Sequence, residues 1–284
     1  NIYLLGTYSL KFDNVTLPSL ATDKVRALLA YLAVEPETAV RRERLAGLLW
    51  PDQSERLARQ NLRQTLHRLR RALAKHVGEL GAELLLVTKQ TVALNEQHCE
   101  VDVRRFEALV DEQSEDVQTE LATLKTAVSL YKNELLAGFS LPDAQPFEEW
   151  LLVQREHLHQ KALDALDKLA TLQLQNDDFS GAQESAQRQL ALEPWRERGF
   201  QQLIQSALGR HQFDQAVAAY QRCEQVLAEE LGVEPSLETK LLLTQIEKAQ
   251  QQSRELQLHG LPAEIMPFVG READMDRLLT QLMQ

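Results

Sequence analysis

Between Arg56 and Lys75 the chain carries seven Lys or Arg and no Asp or Glu. Arg, Gln and His recur there at helical spacing. At about 100° per residue, with Leu62 as origin, Gln60, Gln64, His67 and Arg71 fall within about 40° of the opposite direction. Arg56, Arg63, Arg68 and Lys75 flank them. A guanidinium can grip guanine O6 and N7 with two hydrogen bonds, and a Gln amide can do the same for adenine N6 and N7. The surrounding cations neutralise phosphates and release counterions. An ordinary exposed helix mixes Glu with Lys or Arg for pairing and solubility. Seven cations without an acid repel one another unless a partner supplies negative charge. The expected partner is double-stranded DNA, read from its major groove. The alternative is an acidic protein partner bound by the same basic surface.

Such a face needs a helix with a buried back. Ala58, Leu62, Leu66, Leu69 and Leu73 all lie within about 40° of the Leu62 direction, a continuous apolar stripe. The spacing predicts a helix from about Ser54 to Lys75. Upstream, Val25, Leu28, Leu29 and Leu32 predict a helix that Thr22 caps and Pro36 stops. Leu45, Leu48 and Leu49 predict a short helix over Arg42–Leu49, ended by Trp50-Pro51. Ile2–Leu10 and Lys11–Leu17 read as short antiparallel strands broken at Asp13-Asn14. Downstream, Leu84–Val87 and Thr91–Leu94 read as a hairpin with Thr88-Lys89-Gln90 at its tip. A hairpin directly after a basic helix is a wing, and Lys89 at its tip would reach the nucleic-acid backbone or minor groove.

Charge is distributed unevenly. Residues 1–98 hold 14 Lys and Arg against 10 Asp and Glu, while the remainder holds 17 against 32, for a total of -11. A basic first third joined to an acidic remainder suits a chain of which one domain meets a polyanion. The length of 284 residues allows about two domains, and a hydrophobic share of 44% allows a buried core. No apolar run approaches the ~18 residues that would span a bilayer, so no membrane is expected as partner. Cys99 and Cys223 make neither a disulfide framework nor a CxxC site, a usage that fits a reducing cytoplasm.

From Asp102 the pattern becomes helical. Leu121, Leu124, Val128, Tyr131 and Leu135 predict a helix over Leu121–Leu136. Gly138 and two prolines then predict a loop, followed by a long helix from about Phe147 to Gln175. Asp178-Phe179-Ser180-Gly181-Ala182 aligns with Gln212-Phe213-Asp214-Gln215-Ala216 at an offset of 34 residues, the tetratricopeptide period. Each aromatic starts a helix and each Ala permits close packing of its partner helix. Gln250–Leu261 reads as a polar linker closed by Gly260.

The order of elements resembles an OmpR-type winged helix, and more closely the N-terminal domain of the Streptomyces antibiotic regulatory protein family. The residues that carry this are Leu5-Gly6, Lys24–Leu32, Leu45–Trp50, Asn61-Leu62 and Leu66–Leu73. By that resemblance the third helix is the recognition helix. Asp102–Val110, Gly138-Phe139, Phe147–Trp150 and Ala228–Ser236 resemble the bacterial transcriptional activator domain, which implies a helical-repeat domain for self-association and partner contacts, RNA polymerase among them. The FVGRE string at Phe268–Glu272 looks like the entry segment of STAND-type ATPases, yet no GxxxxGK[ST] phosphate cradle occurs in the chain.

These readings give a mainly α chain with a small β part: a winged helix-turn-helix domain (1–98), a tetratricopeptide-like activator domain (99–250), and a linker with the start of a truncated ATPase domain (251–284). The expected function is a cytoplasmic, sequence-specific DNA-binding regulator, an activator, with a homodimer on repeated half-sites. A tetratricopeptide-like interaction scaffold is the alternative. The expected DNA-contacting residues are Arg56, Gln60, Arg63, Gln64, His67, Arg68, Arg71, Lys75 and Lys89. No cofactor and no enzyme chemistry are expected: His157 and His159 lack a carboxylate-rich HExxH setting, and no GxSxG occurs.

Overall fold

The computed structural model describes residues 1–259 apart from 14, 18–21, 36–38, 79–80 and 82. The chain divides into two compact units, Asn1–Pro194 and the part from Trp195 onward.

The first unit opens with β1 (Ile2–Tyr3), β2 (Ser9–Phe12) and β3 (Val15–Thr16), an antiparallel sheet in that order. The expected pair of longer strands is thus three short ones. Gly6, at φ 117°, turns the chain between β1 and β2, and Asp13, at φ 46°, turns it between β2 and β3. Then come α1 (Asp23–Val34), β4 (Val40–Arg41), α2 (Arg42–Leu49) and α3 (Glu55–Val77). Thr22 stands at the α1 N-cap position without a side-chain capping bond. β5 (Leu85–Val87) and β6 (Thr91–Leu94) form the expected hairpin. β4 joins it as a third strand, in the order β4-β6-β5, with Val40 opposite Val92 and Arg41 opposite Thr91. The sequence reading had missed β4, because a two-residue strand leaves no alternation to detect.

Helices α4 (Asp102–Asp111), α5 (Val117–Leu130), α6 (Gln145–Gln175) and α7 (Phe179–Leu192) complete the unit. One core runs without a break from Ile2, Leu28, Leu45, Leu62 and Leu69 to Phe106, Phe147 and Leu158. The expected helix over Leu121–Leu136 ends early, at Leu130. Beyond it the chain turns back: Leu135 bridges Leu5 in antiparallel fashion, the Leu136 amide donates to Leu4 O at 2.8 Å, and the Ala137 amide donates to Gly6 O at 2.9 Å. The Leu135 side chain is buried as its spacing implied, but on a strand-like segment.

Charged side chains close the ends of these elements. Asp102, in the first turn of α4, accepts from the Leu4 amide at 2.8 and 2.9 Å, from the Leu5 amide at 2.9 Å and from the Val103 amide at 2.8 Å. Burial pushes its carboxyl above the ordinary value, although the Leu5, Leu4 and Val103 amides and the nearby Lys132 charge pull the other way. One turn position later, Arg104 donates to Leu32 O, Ala33 O and Glu35 O at 3.2, 2.6 and 2.9 Å. These are carbonyls at the end of α1, which has no helical partner to offer them. Arg155 treats Leu135 O, Leu136 O and Phe139 O in the same way.

In the second unit, α8 (Glu197–Gly209) pairs with α9 (Phe213–Val226). A π-helical turn (Leu227–Leu231) and the left-handed Gly232 lead to α10 (Leu237–His259). The expected linker from Gln250 is helical as far as His259. No Gly or Pro interrupts the chain between Pro235 and Gly260, and Gln, Glu and Lys sustain a helix. The FVGRE string lies outside the described residues. The repeat is visible in the backbone itself. Asp177 (φ 58°) and His211 (φ 57°) occupy equivalent positions. The Asp178 amide donates to Gln173 O and the Gln212 amide to Ala207 O, at 2.9 and 2.8 Å. Ala182 and Ala216 are fully buried, as their close-packing role requires.

The Glu197 carboxylate accepts from the Ser236 amide at 2.7 Å and from the Thr239 hydroxyl at 2.5 Å, joining α8 to the start of α10. Partial burial raises its pKa, but these hydrogen bonds outweigh that and hold it below the ordinary Glu value. Cys223 in α9 is buried, and burial pushes its thiol up to about 12, with the Glu197 and Glu224 charges adding to the shift.

Asp102→Ala takes the side-chain acceptor from three buried amides, those of Leu4, Leu5 and Val103. It is expected to cost about 1–3 kcal/mol in urea unfolding, with Asp102→Asn recovering part of the loss by keeping one acceptor. A group with a lowered folded-state pKa contributes stability that is present above its unfolded value and lost as pH falls through the folded value. Thermal unfolding followed from neutral to acidic pH should therefore lose stability in the carboxylate range, and Glu197→Gln should remove part of that dependence.

Candidate nucleic-acid interface

Helix α3 begins after Ser54 and runs unbroken to Val77, with Gly78 at φ 70° ending it. Its back is the expected stripe. Leu62 and Leu69 are fully buried, and Ala58, Leu66, Leu73 and also Thr65 are buried beside them. The stripe packs α3 against α1 and α2. Burial of four leucines in such a stripe favours one orientation of the helix by several kcal/mol, roughly 1.5–3 kcal/mol for each side chain.

Everything the sequence placed on the front is exposed: Arg56, Gln60, Arg63, Gln64, His67, Arg68, Arg71 and Lys75. Arg63, Gln64, His67 and Arg68 border one shallow depression on that surface. Among the described residues, none of Arg56, Arg63, Arg68, Arg70, Arg71 and Lys75 makes an ion pair. The exception is Arg59, which lies toward the side of the helix. Its guanidinium meets Glu43 of α2 at 3.2 Å and Glu55 at 2.5 Å. Arg59 is thus a structural strut between α2 and α3, and the other cations of α3 have no carboxylate partner among the described residues.

The wing projects from the same domain. Its tip is ordered by Thr88, whose hydroxyl accepts from the Gln90 and Thr91 amides at 3.2 and 2.9 Å. The Thr88 amide donates to Thr91 O at 2.9 Å. Lys89 is exposed at that tip. The wing also carries basic residues that sequence reasoning missed. Arg41 is exposed in β4 opposite Thr91, and Arg42 opens α2. The only sequence signal was the Arg41-Arg42 pair itself, which reads as an ordinary helix start until the strand pairing is known.

The junction with α4 and α6 controls where this assembly sits. Glu35, at the end of α1, accepts from Trp150 Nε1 of α6 at 2.9 Å through one oxygen and from Arg44 of α2 at 3.1 Å through the other. Trp150 also packs on Tyr31, with ring centroids 4.8 Å apart. Lys24, at the start of α1, donates to Leu49 O at 2.7 Å and pairs with Asp143 at 2.9 Å.

A model of the bacterial transcriptional activator domain matches residues 101–247. The chain belongs to that family. The transcriptional regulatory protein MoaR1 of Mycobacterium tuberculosis is 25% identical over 239 residues, covering 82% of this chain and 74% of that protein. Its Mycobacterium bovis counterpart is 24% identical over 242 residues with the same coverage. Among solved structures, Mycobacterium tuberculosis EmbR in complex with a low affinity phosphopeptide superimposes with a TM-score of 0.65 at 21% identity, over 90% of this chain and 68% of that one. The fold is the mainly helical one with a small β part that the sequence led us to expect: a winged helix followed by tetratricopeptide-like repeats.

Because the outward cations have no carboxylate partner among the described residues, removing one is expected to cost the fold little. Arg68→Ala and Arg71→Ala are expected to leave unfolding free energy within about 0.5 kcal/mol of the parent. Arg59→Ala should lose up to about 1 kcal/mol, the scale of an exposed ion-pair network. Urea melts of the three variants check this ordering.

Proposed function

We propose that this chain is a sequence-specific DNA-binding transcriptional activator that docks α3 in a major groove and sets the wing on the flanking backbone. The observation that carries the reading is the front of α3: cations and amides exposed along one ridge, with Arg59 the one α3 cation that meets a carboxylate among the described residues. Arg63, Gln64, His67 and Arg71 are assigned to base edges, where side-chain donors and acceptors can discriminate. Arg56, Arg68, Lys75 and Lys89 are assigned to phosphates, and Gln60 to either. The acidic helical part is assigned to self-association, as a homodimer on repeated half-sites, and to contacts with RNA polymerase. No cofactor enters this reading, and no residue is given a catalytic role.

Membership of an activator family supports the reading, as do relatives that are themselves transcriptional regulatory proteins. Among the described residues no helix is long and apolar enough to cross a membrane. A cytoplasmic protein with DNA as its partner accommodates that. The scaffold alternative places an acidic protein on the same ridge, and selection on duplex DNA distinguishes the two.

Selection from a random duplex pool, followed by anisotropy titration on the selected sequence, provides the test. Arg63→Ala or Arg71→Ala should weaken specific binding by roughly 1–3 kcal/mol and relax base preference at one position. Affinity should fall steeply with added salt, each phosphate contact contributing about 0.9 to the logarithmic slope. Failure to enrich any sequence, together with a flat salt titration, would sink the reading.

A further inference from the structure

The wing and the helix-turn-helix are separated in sequence by all of α3, yet one residue joins them. Arg42, the first residue of α2, engages the wing tip twice. Its backbone amide donates to Gln90 O at 2.8 Å, and its Nη1 donates to Thr88 O at 3.1 Å. Gln90 and Thr88 are the two neighbours of Lys89. The tip is therefore held from both sides of the one residue whose charge it presents. The turn itself is ordered by the Thr88 hydroxyl, which accepts from Gln90 and Thr91. On the far side of Arg42, β4 pairs with β6 and brings exposed Arg41 opposite Thr91.

Arg41, Arg42 and Lys89 thus form a second cationic group, contributed by β4, α2 and the wing. Among the described residues none of the three has a carboxylate partner. A phosphate backbone would supply the negative charge that this group lacks. Exposed hairpin tips are otherwise among the most mobile parts of a fold. A tip fastened to a helix start is one whose position relative to α3 is preset, which lowers the ordering cost of binding.

We propose that Arg42 is the positioning residue of the wing: it latches the Thr88–Gln90 turn to the start of α2, so that Lys89 meets the phosphate backbone in a geometry fixed relative to α3. The proposal rests on the DNA-binding reading above. It assigns Arg42 an action through Lys89.

The test measures binding of the full chain to a fluorescent mixed-sequence duplex across a salt series. Lys89→Ala and Arg42→Ala are each expected to weaken binding several-fold and to lower the salt slope by about one, the value of a single lost phosphate contact. The double variant Arg42→Ala/Lys89→Ala should match either single variant, because both remove the same contact. Arg42→Lys retains one donor for Thr88 O and should restore much of the binding. Amide exchange at Thr88 and Thr91 should quicken in Arg42→Ala while the amides of α1 stay unchanged, a readout that distinguishes a loosened tip from general unfolding. Multiplicative losses in the double variant would make Arg42 an independent phosphate ligand and overturn the latch. Full affinity in Arg42→Ala, with Arg63→Ala and Arg71→Ala still impaired, would also overturn it while leaving the α3 reading intact. Unchanged binding in all of them would instead remove the DNA-binding reading itself.

Discussion

The first turn of α4 carries a carboxylate and a guanidinium, two residues apart, Asp102 buried and Arg104 half-buried, each set against backbone groups of other elements. Asp102 collects the Leu4 and Leu5 amides from the amino-terminal strand region. Arg104 collects three carbonyls from the end of α1. Unpaired, these groups would each cost about 1–3 kcal/mol in a dry interior. Their satisfaction from a single helical turn fixes α4 against both the sheet and α1. Because α1 supports α2 and α3, the placement of the basic ridge is inherited from this junction.

Glu35 extends the same logic. One carboxylate at the close of α1 binds Trp150 of the long helix α6 and Arg44 of the turn-making helix α2. Tyr31 and Trp150 also pack on each other, with their rings tilted by 53°. The core beneath these polar contacts is shared, running from Leu62 and Leu69 under α3 to Phe106 and Phe147 in the activator-family segment. A rearrangement of α6 that displaced Trp150 would change the partners of α1 and α2 directly. The winged helix and the first activator helices therefore behave as one packed body, joined by buried apolar surface as well as by hydrogen bonds.

The basic ridge of α3 shows what long periodicity can carry. The stripe from Ala58 to Leu73 covers several helical turns, so its direction could be assigned from spacing, and the exposed set followed by subtraction. The repeat was legible for a similar reason, since Phe179 and Phe213 with Ala182 and Ala216 mark equivalent places in two units. Short or non-periodic features were not legible. β4 is two residues long. The segment after Leu130 keeps helical spacing through Tyr131 and Leu135, yet its amides and carbonyls find better partners in Leu4 and Gly6. The run after Gln250 is polar and looks like a linker, but polarity does not oppose a helix whose residues favour one.

Local sequence by itself determined which residues form α3, which of its sides is apolar, and that its other side holds cations with few acids. Those properties depend on helical geometry and side-chain chemistry within one segment. Tertiary structure alone decided which arginine would be neutralised: Arg59 meets Glu43 because α2 crosses it there, and the others meet no carboxylate among the described residues. It also decided that Arg42 would reach Thr88, some 46 residues along the chain. The physical reason is that charge pairing and backbone satisfaction depend on distances between segments, and those distances exist only after the shared core has closed.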